Sequence, residues 1–371
     1  MPRFRNLDSA GSDWAIGVLP VGPTNSILDV PGVGVGHATV WRDEPDPPEG
    51  RGVARTGVTV IDPGGDPFTS PIPFGAVTLN GAGEMTGFLT AAEWGLLETP
   101  IFLTSTMQLG RVYDAACQLL MAANSLIGAD DVIIPVVAEC DDSFVSESRA
   151  MQVTQQDVAD ALAQARSSVG AAEPPAEGAV GSGTGMACLG HKGGIGTSSR
   201  VLPSGHTVAV LVMSNFGEFG RLTVDGVPVG RLTTDPSLAA PEVASDPGPK
   251  GSCIVVVGTD APIDHAGCER LATRAGLGLA RTGSTAHHGS GEIFMAFATG
   301  LRHPRGAASV GQSLMGGDLD PFFEAVVDAT EESVLNSMLM SPTVVGRRGN
   351  TLYGLDPSLV RALFASAKSA R

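Results

Sequence analysis

Large aromatic rings are scarce in this sequence. Phe, Trp and Tyr together make up 5% of it, with two tyrosines in all. A core with so few rings must be aliphatic, and the 43% hydrophobic content supplies the material. Cysteine is scarce too. Cys117, Cys140, Cys188, Cys253 and Cys268 are odd in number and widely scattered, which argues against a disulfide framework and for buried thiols in a reducing cytosol. Histidines show no metal-ligand spacing. The adjacent His287 and His288 precede a Gly-Ser-Gly turn and read as surface or pocket lining, so no metal site is expected. Basic residues are outnumbered, 23 Lys and Arg against 39 Asp and Glu, and the net charge of −16 comes without a basic cluster. That balance argues against nucleic acid and anionic membrane as partners and favours small cationic substrates such as amines. No apolar run reaches membrane-spanning length, and Met1–Asp8 lacks the apolar core of a signal peptide, so a cytoplasmic location is expected.

Glycine, in contrast, is plentiful: 49 of 371 residues. Many glycines with few rings point to tight turns and close backbone approaches, not to a bundle of long helices. The length allows one large domain or two ordinary ones. Short apolar, β-branched runs at 57–61, 75–79, 101–104, 132–139, 208–213 and 293–297 read as buried strands. Helical periodicity or capping signals mark 88–97, 107–125, 153–168, 264–281, 320–340 and a last helix from Asp356. Residues 1–25 read as an irregular arm. Asp29–His37 alternates glycine with valine, as a turn does when it enters a strand packed tightly on another backbone. Two glycine-dense stretches, 181–186 and 192–200, lack the Gly-Lys-Ser/Thr ending of a phosphate loop, and their glycines are read as letting chains cross near a site. Strands and helices mix along the whole chain, which suggests a layered α/β domain sharing one core.

The stretch Asp246–Gly258 joins two opposite characters. Its first half is rich in Pro and Gly, and from Ser252 it becomes the strand-like Ser-Cys-Ile-Val-Val-Val. A loop meeting a core strand would look the same. The chemistry of the junction is more specific. If the Gly251–Ser252 bond is cut, Ser252 carries a hydroxyl and a free α-amine on one residue, and an α-amine with an ordinary pKa of about 7.7–8.0 can act as a general base near neutrality. The hydroxyl can also make the cut itself by attacking the Gly251 carbonyl, which glycine leaves sterically open.

Three further positions carry chemistry. Ser290 and Glu292 are two apart, so in an extended segment they project to one face, where a hydroxyl beside a carboxylate can orient a nucleophile and carry a proton. A solvated turn is the plainer account of the same residues. Asn215, at the end of the 208–213 run, can donate its amide to a developing oxyanion, although Asn at a strand end is ordinarily a turn former. Glu139 ends a buried run and can pair with a substrate ammonium, or can simply be an exposed strand end.

Taken in order, Asp29–His37, Asn80–Glu84, Gly183–Met186, Lys192–Arg200, Gly251-Ser252, Gly278–Gly283 and Gly289–Glu292 resemble the P1 family of peptidases, the DmpA-type L-aminopeptidase/D-amidase/esterases. The resemblance spans nearly the whole chain. It implies a four-layer αββα sandwich like the N-terminal-nucleophile hydrolases but with different connectivity. It also implies self-cleavage into a first chain, 1–251, and a second, 252–371, and a homo-oligomer of such pairs, a tetramer in the expected form. Carried over residue by residue, it makes Ser252 the nucleophile, supported by Ser290 and Glu292, with Asn215 in the oxyanion hole and Glu139 at the substrate's free amine. Some members place an aromatic hydroxyl shortly after that glutamate. Here Cys140-Asp141-Asp142-Ser143-Phe144 follows, so that contribution is missing or comes from elsewhere. The implied activity is hydrolysis of short peptides, amides or esters bearing a free amine, through an acyl-enzyme, without metal or cofactor. Two rivals stand beside it: an acyltransferase of the ornithine acetyltransferase type, whose second chain begins with threonine where Ser252 stands here, and an uncut non-enzymatic homologue.

Overall fold

β-branched runs broken by glycine and proline divide the chain into short strands. The computed structural model describes residues 1–7, 14–233, 251–307 and 311–369. Its strands are β1 (Gly34–Arg42), β2 (Ala54–Asp62), β3 (Ile72–Gly81), β4 (Leu96–Leu97), β5 (Ile101–Ser105), β6 (Val136–Cys140), β7 (Ala187–Cys188), β8 (His191–Lys192), β9 (Gly194–Val201), β10 (Thr207–Asn215), β11 (Ser252–Thr259), β12 (Gly291–Ala298), β13 (Val344–Val345) and β14 (Thr351–Leu352). The helices are α1 (Phe88–Glu93), α2 (Leu109–Ala123), α3 (Gln155–Ser167), α4 (Val229–Leu232), α5 (His265–Thr282), α6 (Asp320–Leu339) and α7 (Pro357–Ser369). Among the described residues no helix is long and apolar enough to cross a membrane.

Two sheets carry the fold, one in the order β1-β2-β5-β6 and one in the order β4-β3-β12-β11-β10-β9. Strands β10, β11 and β12 are buried at every residue, as strands covered on both faces must be. Side-chain alternation divides the apolar residues into three packed seams. Ile254 and Val256 of β11, with Met295 of the adjacent β12, face the other sheet and cluster with its Leu103 and Ala138. Cys253, Val255 and Val257 face α5 and α6, meeting Leu271, Leu279 and Leu335. On the far side α2 and α3 set Val112, Val158 and Leu162 against Val58, Val60 and Phe102. Helix, sheet, sheet, helix is the four-layer αββα order expected from the resemblance.

Glycine allows the close layering. A β-carbon on Gly36 would lie 2.1 Å from the Ala161 carbonyl oxygen, so α3 rests directly on the β1 backbone. The glycine-dense stretch 181–200 works the same way and holds no phosphate-loop helix: it forms a 3-10 turn, the β7–β8 hairpin and β9. Two expectations are corrected. Val132–Ile134 is not strand. Val132 is 67% exposed, and strand begins only after Pro135, which has no N–H to give a ladder. The helix expected over 88–97 stops at Glu93, because Gly95 takes a φ of +68° and turns the chain into β4. The described part of the N-terminal arm, residues 1–7 and 14–25, is irregular as expected, and it buries Phe4, Leu7, Trp14 and Ile16 in the core. Of the Pro- and Gly-rich first half of Asp246–Gly258, only Gly251 lies within the described residues.

Candidate active site

The six-stranded sheet brings three strand ends together. Antiparallel β10–β11 pairing sets Asn215 directly opposite Ser252, and parallel β11–β12 pairing sets Ser252 beside Gly291. Directly opposed residues of an antiparallel pair share a face with β-carbons about 4.5–5.5 Å apart, so the Asn215 and Ser252 side chains are neighbours. Ser252 Oγ donates to the Gly251 carbonyl oxygen at 2.7 Å. The Gly291 N–H donates to the same oxygen at 3.0 Å. The carbonyl that precedes the serine thus holds two donors at once, one from each flank.

Asn215 is clamped at both ends of its amide. Its Oδ1 accepts the Ala187 N–H at 2.8 Å, and its Nδ2 donates to the Asp141 carbonyl at 2.9 Å. An amide nitrogen carries two hydrogens, so one remains for another acceptor.

Ser290 and Glu292 do project together, in a buried recess and not on a solvated turn: Ser290 Oγ donates to Glu292 Oε1. The turn before them is tied by the His287 carbonyl, which accepts the Ser290 N–H at 2.8 Å and Asn80 Nδ2 at 2.7 Å. Glu292 Oε2 is buried with no partner among the described residues. Burial pushes this carboxyl above its usual range, against the lowering effect of the Ser290 hydroxyl. Glu292 pairs with Cys253, one residue past Ser252, so its side chain leaves the opposite face of the strand. The Ser290–Glu292 pair therefore shares a recess with Gly251 and Phe216, and it makes no hydrogen bond to the Ser252 hydroxyl.

Glu139, the penultimate residue of β6, is buried and not an exposed strand end. Its Oε1 accepts the Glu84 N–H at 2.8 Å and its Oε2 accepts the Thr106 hydroxyl. Burial raises its pKa above the usual carboxylate value, partly offset by those two donors. A side chain on Gly83 would begin 3.2 Å from Glu139 Oε1 and 3.5 Å from the Gly291 Cα, so Glu139 stands close to the start of β12 and hence to Ser252. Beside it opens a cavity of about 490 Å³ lined by Gly83, Met85, Phe88, Ile134 and Ile293.

The groups that reasoning from residue types missed are mostly backbone: the Gly291 and Ala187 N–H groups and the Asp141 carbonyl. Every residue has the carbonyl and every one but proline the N–H, so no pattern in the sequence marks them. The Thr106 hydroxyl belongs to a different strand end and also carries no local signal.

Comparison with known proteins bears on what these groups do. The model of peptidase family S58 matches residues 25–352. The chain belongs to peptidase family S58. Like the family it is a peptide hydrolase, and the DmpA-type resemblance in its motifs is borne out. It is 37% identical to the beta-peptidyl aminopeptidase of Sphingosinicella microcystinivorans over 92% of this chain and 88% of that one. Among solved structures, a Burkholderia sp. beta-aminopeptidase superposes with a TM-score of 0.85 at 37% identity, covering 98% of this chain and 99% of that one. The L-aminopeptidase D-Ala-esterase/amidase of Ochrobactrum anthropi, described as a variant of the Ntn hydrolase fold, superposes with a TM-score of 0.86 at 34% identity, covering 99% of each chain.

Proposed function

We propose that this S58 chain cuts itself between Gly251 and Ser252 and then works as a serine aminopeptidase and amidase. The observation that carries the reading is the doubly held Gly251 carbonyl, with Ser252 Oγ at 2.7 Å and the Gly291 N–H at 3.0 Å. In the cut, Oγ turns onto the carbonyl carbon, and the Gly291 N–H supports the charge that develops on the oxygen. The C–N bond breaks, the hydroxyl proton passes to the departing nitrogen, and an ester joins Gly251 to Oγ. Water hydrolyses that ester to a Gly251 carboxylate and a free Ser252 amine and hydroxyl.

In turnover Oγ attacks the first carbonyl of a short peptide, amide or ester, and the α-amine of Ser252 takes the proton. The spare Asn215 Nδ2–H faces the oxyanion. The unpaired Glu292 Oε2, with Ser290 beside it, helps hold the new ammonium and steady the proton. Collapse expels the leaving amine with that proton and leaves an acyl-enzyme, which water releases. Glu139 holds the substrate's own ammonium, and the adjoining apolar cavity seats the residue being removed. The beta-peptidyl names of the relatives make β-amino acid substrates part of the same proposal. Assembly as a homo-oligomer of α/β pairs fits the exposed Leu89 (82%) on α1 and Trp94 (69%) just after it, and the five free cysteines fit the cytoplasm.

Intact mass and turnover of wild type and Ser252→Ala test the reading. Wild type is expected as chains 1–251 and 252–371 that hydrolyse aminoacyl p-nitroanilides. Ser252→Ala is expected as one inactive chain. An uncut wild type with full activity overturns it, and a panel of L-, D- and β-aminoacyl p-nitroanilides then defines the substrate.

A further inference from the structure

Lys192 is a charge the mechanism above does not use, and it sits where charge is costly. Its side chain is wholly buried. Among the described residues no carboxylate lies within ion-pair distance of it. Its Nζ instead donates to three backbone carbonyls: Gly183 at 2.9 Å, Met186 at 2.9 Å and Gly193 at 2.7 Å. An ammonium has three hydrogens, so two are spent on the 183–186 turn and one on the carbonyl of the neighbouring Gly193. Burial draws its pKa down to about 7, with Cys188 the opposing influence, and the three carbonyls replace the water that burial removes.

The turn leads directly to the active site. Lys192 is the register partner of Ala187 in the β7–β8 hairpin, and the Gly193 N–H closes onto the same Met186 carbonyl at 2.9 Å. The N–H of that same Met186–Ala187 peptide donates to Asn215 Oδ1 at 2.8 Å. This bond decides which end of the Asn215 amide points where. Were the amide flipped, Nδ2 would meet the Ala187 N–H donor to donor, and Oδ1 would meet the Asp141 carbonyl acceptor to acceptor. It would also present an oxygen to the developing oxyanion.

We infer that Lys192 is a positioning residue for Asn215, acting through the 183–186 turn and the Ala187 N–H to keep the amide hydrogen turned toward the reacting carbonyl. The inference rests on the oxyanion role proposed for Asn215. Lys192 touches no substrate. Its ammonium fixes the Met186–Ala187 peptide, and that peptide fixes the amide.

A double-mutant cycle on the full chain tests it, with kcat normalised to the cleaved fraction found by intact mass. Lys192→Met keeps the length and removes every donor. It is expected to lower kcat 10- to 100-fold with KM within threefold of wild type. In an Asn215→Ala background the same change is expected to lower kcat less than threefold, because there is no amide left to orient. An equal loss in both backgrounds, or a loss carried by KM, overturns the inference and leaves the oxyanion role standing. An unchanged kcat in Asn215→Ala alone removes both. If Lys192→Met does not accumulate as folded protein, Lys192→Gln, which keeps two amide hydrogens, goes through the same cycle and is judged by the same outcomes.

Discussion

Single residues here are set by what burial does to charge. Glu139 is buried, accepts two hydrogen bonds from the described residues, and is pushed above its ordinary carboxylate pKa. A substrate ammonium would return the missing countercharge, and that is a strong reason for it to bind there. Glu139→Gln keeps the shape and one acceptor but loses the charge. It is expected to raise KM for free-amine substrates by about 10- to 100-fold, a charged hydrogen bond's worth of about 1.5–3 kcal/mol, with a smaller change in kcat. Steady-state kinetics on an aminoacyl p-nitroanilide and on its N-acetyl derivative check this, since the acetylated substrate should not distinguish the two proteins. Asp142 is the nearby counter-example. It is buried with Oδ2 unpaired among the described residues, and burial pushes its pKa up to about 7. A carboxyl whose folded pKa lies above its unfolded value of about 3.9 stabilises the fold in acid and loses that contribution as pH rises toward 7. Asp142→Asn does not titrate. Its stability is therefore expected to gain on wild type between pH 4 and pH 7, by at most about 4 kcal/mol at roughly 1.4 kcal/mol per pKa unit, and to keep a constant lead above that. Urea unfolding at pH 4, 5.5 and 8 measures the gap, and a gap that does not widen with pH contradicts the assignment.

At the level of elements, what decides the arrangement is how closely helices sit on strands. A β-carbon on Gly196 of β9 would lie 2.0 Å from the Ser333 carbonyl oxygen and 2.6 Å from the Ser337 nitrogen, both in the α6 backbone, which cannot rotate aside as a side-chain tip can. Gly196→Ala is therefore expected to destabilise by about 1–3 kcal/mol or more, as overpacking does. Gly110 of α2 has no atom within 4 Å of its β-carbon position, so Gly110→Ala is expected to stabilise by about 0.4–1 kcal/mol. Thermal melts of the pair check the contrast, and similar shifts in both would sink it. These contacts also show what the sequence made legible. Runs such as Val208–Met213 and Cys253–Val257 are apolar on both faces, so their burial could be read directly, and the candidate site residues Ser252, Asn215, Ser290 and Glu292 stood out as polar groups at the ends of such runs. The faces were less legible. Ser290 and Glu292 share a side, but that side is opposite the Ser252 hydroxyl, and only the β11–β12 register reveals it. The apolar Val132–Ile134 looked like strand because side-chain type says nothing about which backbone groups find a partner.

On the scale of the whole molecule, the proposed cut falls in the middle of a sheet. The piece 1–251 supplies β3, β4, β9 and β10, while 252–371 supplies β11 and β12 between them, so the two pieces interleave. Helix α6 of the second piece lies across β9 and β10 of the first and is fastened there by Glu332. This carboxylate meets Arg200 at 2.8 Å, with both side chains fully buried, and also takes Arg5 at 3.1 Å and Asn25 Nδ2 at 2.6 Å, all three from the first piece. Burial alone would push Glu332 up, but the arginines outweigh it and hold the carboxyl below its usual range. Its contribution is therefore complete above the ordinary Glu pKa of about 4.3 and fades as acid protonates it. After cleavage the two chains are expected to travel as one species in native gel filtration at pH 7 and to separate only when the sheet unfolds. Glu332→Gln leaves Arg200 buried without its countercharge, a change that costs about 3–5 kcal/mol where a buried pair is broken. The urea concentration that separates the chains should fall accordingly, and the difference between wild type and variant should shrink below pH 4. Free 252–371 released from wild type under native conditions would contradict the interleaving as the source of the hold. Release unchanged by Glu332→Gln would place that hold in the strand pairing alone.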